Sequence, residues 1–139
     1  MLANPRRDAR SPSTDVSVAH SARPADIRHP VVLGHSEPAS FNHAITQTYR
    51  SAVEACGQMV VTRDLYEIDF DPLLKAHEQP GKPGFHLSND VDVELEEVRQ
   101  AAVIVLIYPI WFGMRPAIIK GYVERVLGAD LPPVGRRMI

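Results

Sequence analysis

An unbroken apolar run, Val103-Ile104-Val105-Leu106-Ile107-Tyr108, most restricts what this chain can become. A strand that is apolar at successive positions has no face to offer water, so it belongs in a sheet covered on both sides. The surrounding pattern supplies the covers. Pro30-Val31-Val32-Leu33-Gly34 reads as a first strand ending at His35, and Met59-Val60-Val61-Thr62 reads as a second. Between them Ser40 is placed to cap a helix whose apolar positions Phe41, Ala44, Ile45, Ala52, Val53 and Cys56 recur at helical spacing, with Gly57 as its stop. Asp64-Leu65-Tyr66 leads into residues 70–92, rich in Pro, Gly and His and read as mostly loop. Glu94 to Ala101 reads as a helix with an acidic start. After the loop Pro109 to Arg115, Pro116 opens a helix carrying Ile118, Ile119, Tyr122, Val123, Val126 and Leu127 and closing at Gly128. Alternating strands and helices predict an α/β fold, a doubly wound parallel sheet with right-handed crossovers and strand order 2-1-3. Arg136-Arg137-Met138-Ile139 reads as the opening of a fourth strand, so later strands are expected to be missing or only begun.

The chain has 139 residues, enough for one core and not two. Its first 28 residues scatter Arg6, Arg7, Arg10, Arg23 and Arg28 among Ser, Pro and Asp without apolar periodicity, so residues 1–28 are expected to be a disordered tail and 29–139 the folded domain. The tail lacks the apolar segment of a secretory signal, and its acids Asp8, Asp15 and Asp26 argue against an organellar transit peptide. A formal net charge of -2 removes the electrostatic case for nucleic acid. No apolar run approaches the roughly 20 residues of a membrane span. A single cysteine, Cys56, permits no intrachain disulfide and suits a reducing, cytoplasmic setting. It falls on the apolar side of the first helix and is read as packing. The histidines His20, His29, His35, His43, His77 and His86 show no metal spacing, and no metal site is expected.

In an open doubly wound sheet, ligands bind beyond the carboxyl ends of the strands where the order reverses. With order 2-1-3, the loop His35 to Ala39 faces the loop Pro109 to Arg115 across one crevice. The first loop feeds a helix N-terminus, whose unpaired N–H groups suit a phosphate. His35, Ser40 and Asn42 are candidate donors to the same anion. The second loop offers Trp111 and Phe112, flat surfaces for a ring system, beside Gly113, where a backbone can approach closely. Phosphate and ring together point to a nucleotide-like cofactor. Each residue also has a plain structural reading: His35 bonding its own loop, Ser40 only a helix cap, Trp111 and Phe112 core or dimer contacts. Lys120 and Arg125 read as solvated or ion-paired.

Three blocks carry a family resemblance. They are His35-Ser36-Glu37-Pro38-Ala39-Ser40-Phe41-Asn42; Asp64-Leu65-Tyr66 with Phe70-Asp71-Pro72; and Tyr108-Pro109-Ile110-Trp111-Phe112-Gly113 followed by Pro116-Ala117-Ile118-Ile119-Lys120-Gly121 and Glu124-Arg125-Val126. In these residues, over roughly His29 to Gly128, the chain resembles the flavodoxin-like NAD(P)H:quinone oxidoreductases, or diaphorases. The resemblance implies a flavin, FAD or FMN, with its phosphates on His35, Ser40, Phe41 and Asn42 and its ring system along Pro109, Ile110, Trp111, Phe112 and Gly113. It further implies NAD(P)H as co-substrate, a hydride passed through the flavin to a small quinone-like acceptor, and a homodimer with the site near the subunit contact. Relatives usually carry two more strands and a Thr-Thr-Gly-Gly turn, which this chain ends before, so no catalytic side chain is carried over. Arg115 stands where many relatives have proline or an apolar residue; it reads as a solvent-facing side chain or as a cation beside the flavin. The alternative is a non-catalytic, truncated module acting through a protein partner. A phosphoacceptor domain with the same winding needs acids where His35 and Tyr108 stand.

Overall fold

The computed structural model describes residues 23–130. Most of the arginine-bearing tail and the candidate strand at Arg136 to Ile139 lie outside the described residues. Three strands, β1 (Arg28–Leu33), β2 (Met59–Asp64) and β3 (Val105–Ile107), form a parallel sheet in the order β2-β1-β3, as the sequence pattern predicts. Pairing begins at Arg28, opposite Met59, two residues before the expected start at Pro30. Helix α1 (Phe41–Ala55) covers one face, while α2 (Asn89–Arg99) and α3 (Ala117–Arg125) cover the other. As the central strand, β1 serves both faces by alternation. Val31 and Leu33 pack with Ile107, Tyr49 and Val60 on the α1 side. Val32 joins Leu65, Leu95, Ile119, Tyr122 and Val126 on the other.

Four expectations need correction. First, α2 begins at Asn89 and not at Glu94, because Val91 and Leu95, one turn apart, are both fully buried and Asp90 and Asp92 sit favourably in its first turn. The Pro/Gly-rich stretch therefore ends sooner than its composition suggests. Second, β3 is shorter than the apolar run. Val103 and Ile104 are exposed, since β1 pairs with β3 only from Val31 to Leu33, and the full cover expected of this strand is reached at Ile107 alone. Third, α1 buries Thr46 and Val53, with Tyr49 half-buried between them; of the expected positions Val53 holds, while Ile45 and Ala52 face outward. Thr46 tolerates this because its hydroxyl donates to the Asn42 carbonyl at 2.9 Å. Fourth, Phe41, Ala44, Ile45 and Cys56 are consequently exposed, so Cys56 is not core packing.

The α2/α3 face also holds buried ions. Arg125 donates to Glu78 through Nε at 2.8 Å and Nη2 at 2.6 Å, and to Asp90 Oδ2 and the Asp71 carbonyl through Nη1 at 2.7 and 2.5 Å. Its guanidinium lies 5.3 Å from the centre of the Phe70 ring. Of the two readings for Arg125, the ion pair holds, and the pair is buried. The hydrogen bonds from Arg125 hold the Glu78 carboxyl down at about 2, despite the opposing effect of burial. Nearby, buried Glu94 accepts from Arg63 and from the Tyr122 hydroxyl. Burial first, and Glu94 second, push the Tyr122 phenol up. Lys120 pairs with Glu124 on the surface. Gly121 lets α3 seat on the strap at Pro72, whose carbonyl oxygen would lie 2.2 Å from an added Cβ.

Candidate functional site

The two loops predicted to share a crevice do meet. The rings of His35 and Trp111 stand edge to face, 5.5 Å between centroids. This follows from strand order: β1 and β3 are neighbours and parallel, so the chain leaves both at the same rim.

On the β1 side the loop folds onto itself. His35 Nδ1 accepts the backbone N–H of Glu37 at 3.0 Å, and Glu37 Oε1 accepts that of Ala39 at 3.3 Å. An accepting Nδ1 assigns the neutral ring's proton to Nε2, leaving that N–H as a donor. Ser40 is the expected N-cap, its Oγ accepting from His43 N at 3.4 Å. That bond satisfies the third N–H of α1; those of Phe41 and Asn42 have no intrahelical acceptor. Asn42 is half-buried.

A cleft of about 550 Å³ opens beside this helix start, lined by His35, Pro38, His43, Asp64, Tyr66 and Glu67. Sequence reasoning assigns no role in the site to His43, Glu67, Asp64 or Tyr66, although the last two stand in the second block of the resemblance. His43 Nδ1 lies 2.8 Å from Ser40 Oγ, and its Nε2 lies 3.0 Å from Asp64 Oδ2. Spacing holds the clue in hindsight, since His43 stands at the third position after the cap and Asp64 ends the neighbouring strand. Phe41 does not line this cleft. It borders a separate apolar groove on α1 with Ala44, Ile45, Thr48 and Tyr49.

On the β3 side, Pro109 and Ile110 lead into a tight turn. Trp111 N donates to Met114 O at 2.9 Å and Met114 N to Trp111 O at 3.0 Å, closing a two-residue hairpin over Phe112 and Gly113. Both central residues have positive φ, 51° and 75°, as a type I′ turn requires. For Phe112 this is strained backbone, yet its side chain is fully exposed. Trp111, Ile110 and Met114 are exposed as well, so the core reading of Trp111 and Phe112 fails. Arg115 is exposed and borders a hollow of about 590 Å³ on the other flank of the turn, with Tyr108, Ile110 and Lys120. The described residues contain no cluster of His, Cys, Asp and Glu able to hold a metal, and no helix long and apolar enough to cross a membrane.

An anion-ready helix start thus lies beside an aromatic hairpin, an arrangement suited to a molecule with a phosphate at one end and a flat ring at the other. Comparison with known proteins gives the family. Residues 28–131 match the family model Flavodoxin_2, described as a flavodoxin-like fold. An uncharacterized NAD(P)H oxidoreductase of Haemophilus influenzae is 34% identical over 102 residues, 73% of this chain and 50% of the relative. NAD(P)H dehydrogenase (quinone) 1 of Rattus norvegicus is 34% identical over 117 residues, 71% of this chain and 42% of the relative. Among solved structures, an NAD(P)H:quinone oxidoreductase from Methanothermobacter marburgensis superposes with a TM-score of 0.64 at 26% identity, covering 72% of this chain and 53% of the other. The chain spans about half the length of the curated relatives it matches. With the parallel 2-1-3 order and a family match that runs from the first residue of β1 to beyond α3, this chain belongs to the Flavodoxin_2 family of flavodoxin-like proteins.

Proposed function

We propose that the chain forms the flavin-binding part of an NAD(P)H:quinone-type oxidoreductase. The observation that carries this reading is the edge contact between His35 and Trp111, which brings the phosphate-ready loop and the aromatic hairpin to one rim. FAD or FMN, when bound, supplies the transfer of a hydride from a nicotinamide to a quinone or similar acceptor. The residues present fit such a group. His35 Nε2–H and the N–H groups of Phe41 and Asn42 bind the phosphate, where the helix dipole adds attraction. Ser40 holds this helix start in place as its cap. Trp111 and Phe112 supply flat apolar surface, and Pro109, Ile110 and Gly113 shape the loop that carries them. The N–H groups of Trp111 and Met114 are spent on closing the turn, so those of Phe112 and Gly113 at its tip are the donors left to stabilise negative charge on a ring lying against the loop.

The exposed Phe41, Ile110 and Phe112 support a homodimer with the site near the subunit contact. The same surface favours the second reading, a non-catalytic module that works through a protein partner. Desalting the protein after incubation with FAD or FMN, then adding NADH or NADPH without oxygen, decides between them. The enzyme reading expects retained flavin whose absorbance at about 450 nm bleaches with nicotinamide and returns with a quinone. Flavin lost entirely on desalting rejects it and leaves the partner module.

A further inference from the structure

His43 and Asp64 line the cleft, and Ser40, half-buried at the helix start beside it, joins them in a continuous hydrogen-bonded chain from the start of α1 to the end of β2. Asp64 Oδ1 accepts the backbone N–H groups of Tyr66 at 3.0 Å and Glu67 at 3.3 Å, while Oδ2 faces His43 Nε2. An ionised carboxylate only accepts, so the proton in that last contact belongs to the imidazole. A neutral imidazole has a single N–H. Its Nδ1 is then a bare acceptor and takes the hydroxyl proton of Ser40, whose Oγ already accepts the backbone N–H of His43. In this state the cap hydroxyl has no proton to offer the cleft.

Adding one proton at Nδ1 reverses the first link. The imidazolium donates to Ser40 Oγ and keeps its bond to Asp64. The hydroxyl proton becomes free to turn into the cleft, which also gains a positive charge.

We propose that His43 is a proton-operated positioning residue that decides whether Ser40 can donate to an anionic group in the cleft, and so couples anion binding to pH. This rests on the flavin reading above, with the cofactor's phosphate as the anion. Asp64 at the end of β2, Tyr66 and Glu67 in the following turn, and His35 and Glu37 in the loop after β1 are the titratable groups that share this cleft and its rim. The His35 ring stands edge-on to that of His43 at 6.4 Å. Histidine is the side chain that ordinarily changes charge between about pH 5 and 8, so the two imidazoles must be told apart by substitution.

FAD is the probe, because its phosphates lack the second ionisation near 6 that a phosphate monoester has. Riboflavin, which has no phosphate, is the control. For the full chain, flavin fluorescence is expected to report FAD binding about tenfold tighter at about pH 5.5 than at about pH 8, with riboflavin indifferent to pH. His43→Gln, which keeps a donor toward Asp64 but does not titrate, is expected to bind FAD equally at both. Equal affinity of the wild type at both pH values, or a His43→Gln variant that retains the full gain, overturns the inference and leaves the flavin reading standing. A riboflavin affinity that follows pH as FAD does also overturns it. No FAD binding at either pH overturns both. If His43→Gln does not fold, nitrogen NMR of the wild-type imidazoles decides: the neutral ring of His43 is expected to carry its proton on Nε2, and an Nδ1–H tautomer refutes the switch.

Discussion

The two faces of the sheet are built on different principles. Beneath α2 and α3, an apolar cluster from Val32 to Val126 is locked by buried ions, Arg125 with Glu78 and Asp90, and Arg63 with Glu94. Beneath α1, the core is Val31, Leu33 and Ile107, and much of the helix's own apolar surface faces outward. A buried ion pair contributes little net stability but strongly penalises any arrangement that separates its members. The ionic face is therefore fixed in one geometry, straps from residues 71, 78 and 90 included. The α1 face and the rim at Phe112 leave apolar surface uncovered.

The largest test of this contrast removes Arg125. Arg125→Met strands the Glu78 carboxylate in the core and is expected to cost about 3–5 kcal/mol in urea unfolding. Phe41→Ser, on the other face, is expected to stay within about 0.5 kcal/mol of the wild type, because its side chain is already in solvent. Comparable losses in both variants would break the distinction.

A smaller effect comes from acid. Glu78 titrates at about 2 in the folded chain against an ordinary 4.5. Below about 4.5 the unfolded chain binds a proton that the folded chain does not, so each step down in pH favours unfolding until the folded carboxyl also protonates near 2. The stabilising contribution is complete above about pH 4.5 and lost between there and about 2. Unfolding free energy measured across that window is expected to fall less steeply in Glu78→Gln than in the wild type. Parallel slopes would mean that Glu78 is not the group that Arg125 holds.

What the sequence made legible follows the same division. Strand order, the Ser40 cap and the juxtaposition of the two loops were readable because β-branched runs, a capping residue and a proline at a helix start are local signals. The ionic lock was not, since Glu78 and Arg125 are 47 positions apart and each looks like an ordinary surface charge. The misplacement of α1's buried stripe has a similar cause: Thr46 reads as polar until its hydroxyl is seen to bond the Asn42 carbonyl. At the site, the expected order already set β2 beside β1, but the contact between His43 and Asp64 joins side chains 21 positions apart, and no local signal announces it.

The smallest expected effect is the most specific to the rim. Phe112 occupies a left-handed position that type I′ turns usually give to Asn or Gly, and its ring gains no burial in return. Strain of this kind persists where function uses the side chain it displays. Phe112→Asn relieves it and is expected to raise stability by about 0.5–1 kcal/mol, seen as a thermal midpoint a few degrees higher. The same change removes a flat face from the hairpin and is expected to weaken flavin binding by about fivefold. Stability and affinity moving in opposite directions would mark the hairpin as built for a ligand. If both rise, or binding is untouched, Phe112 does not contact the flavin, and Trp111 alone must provide the aromatic surface.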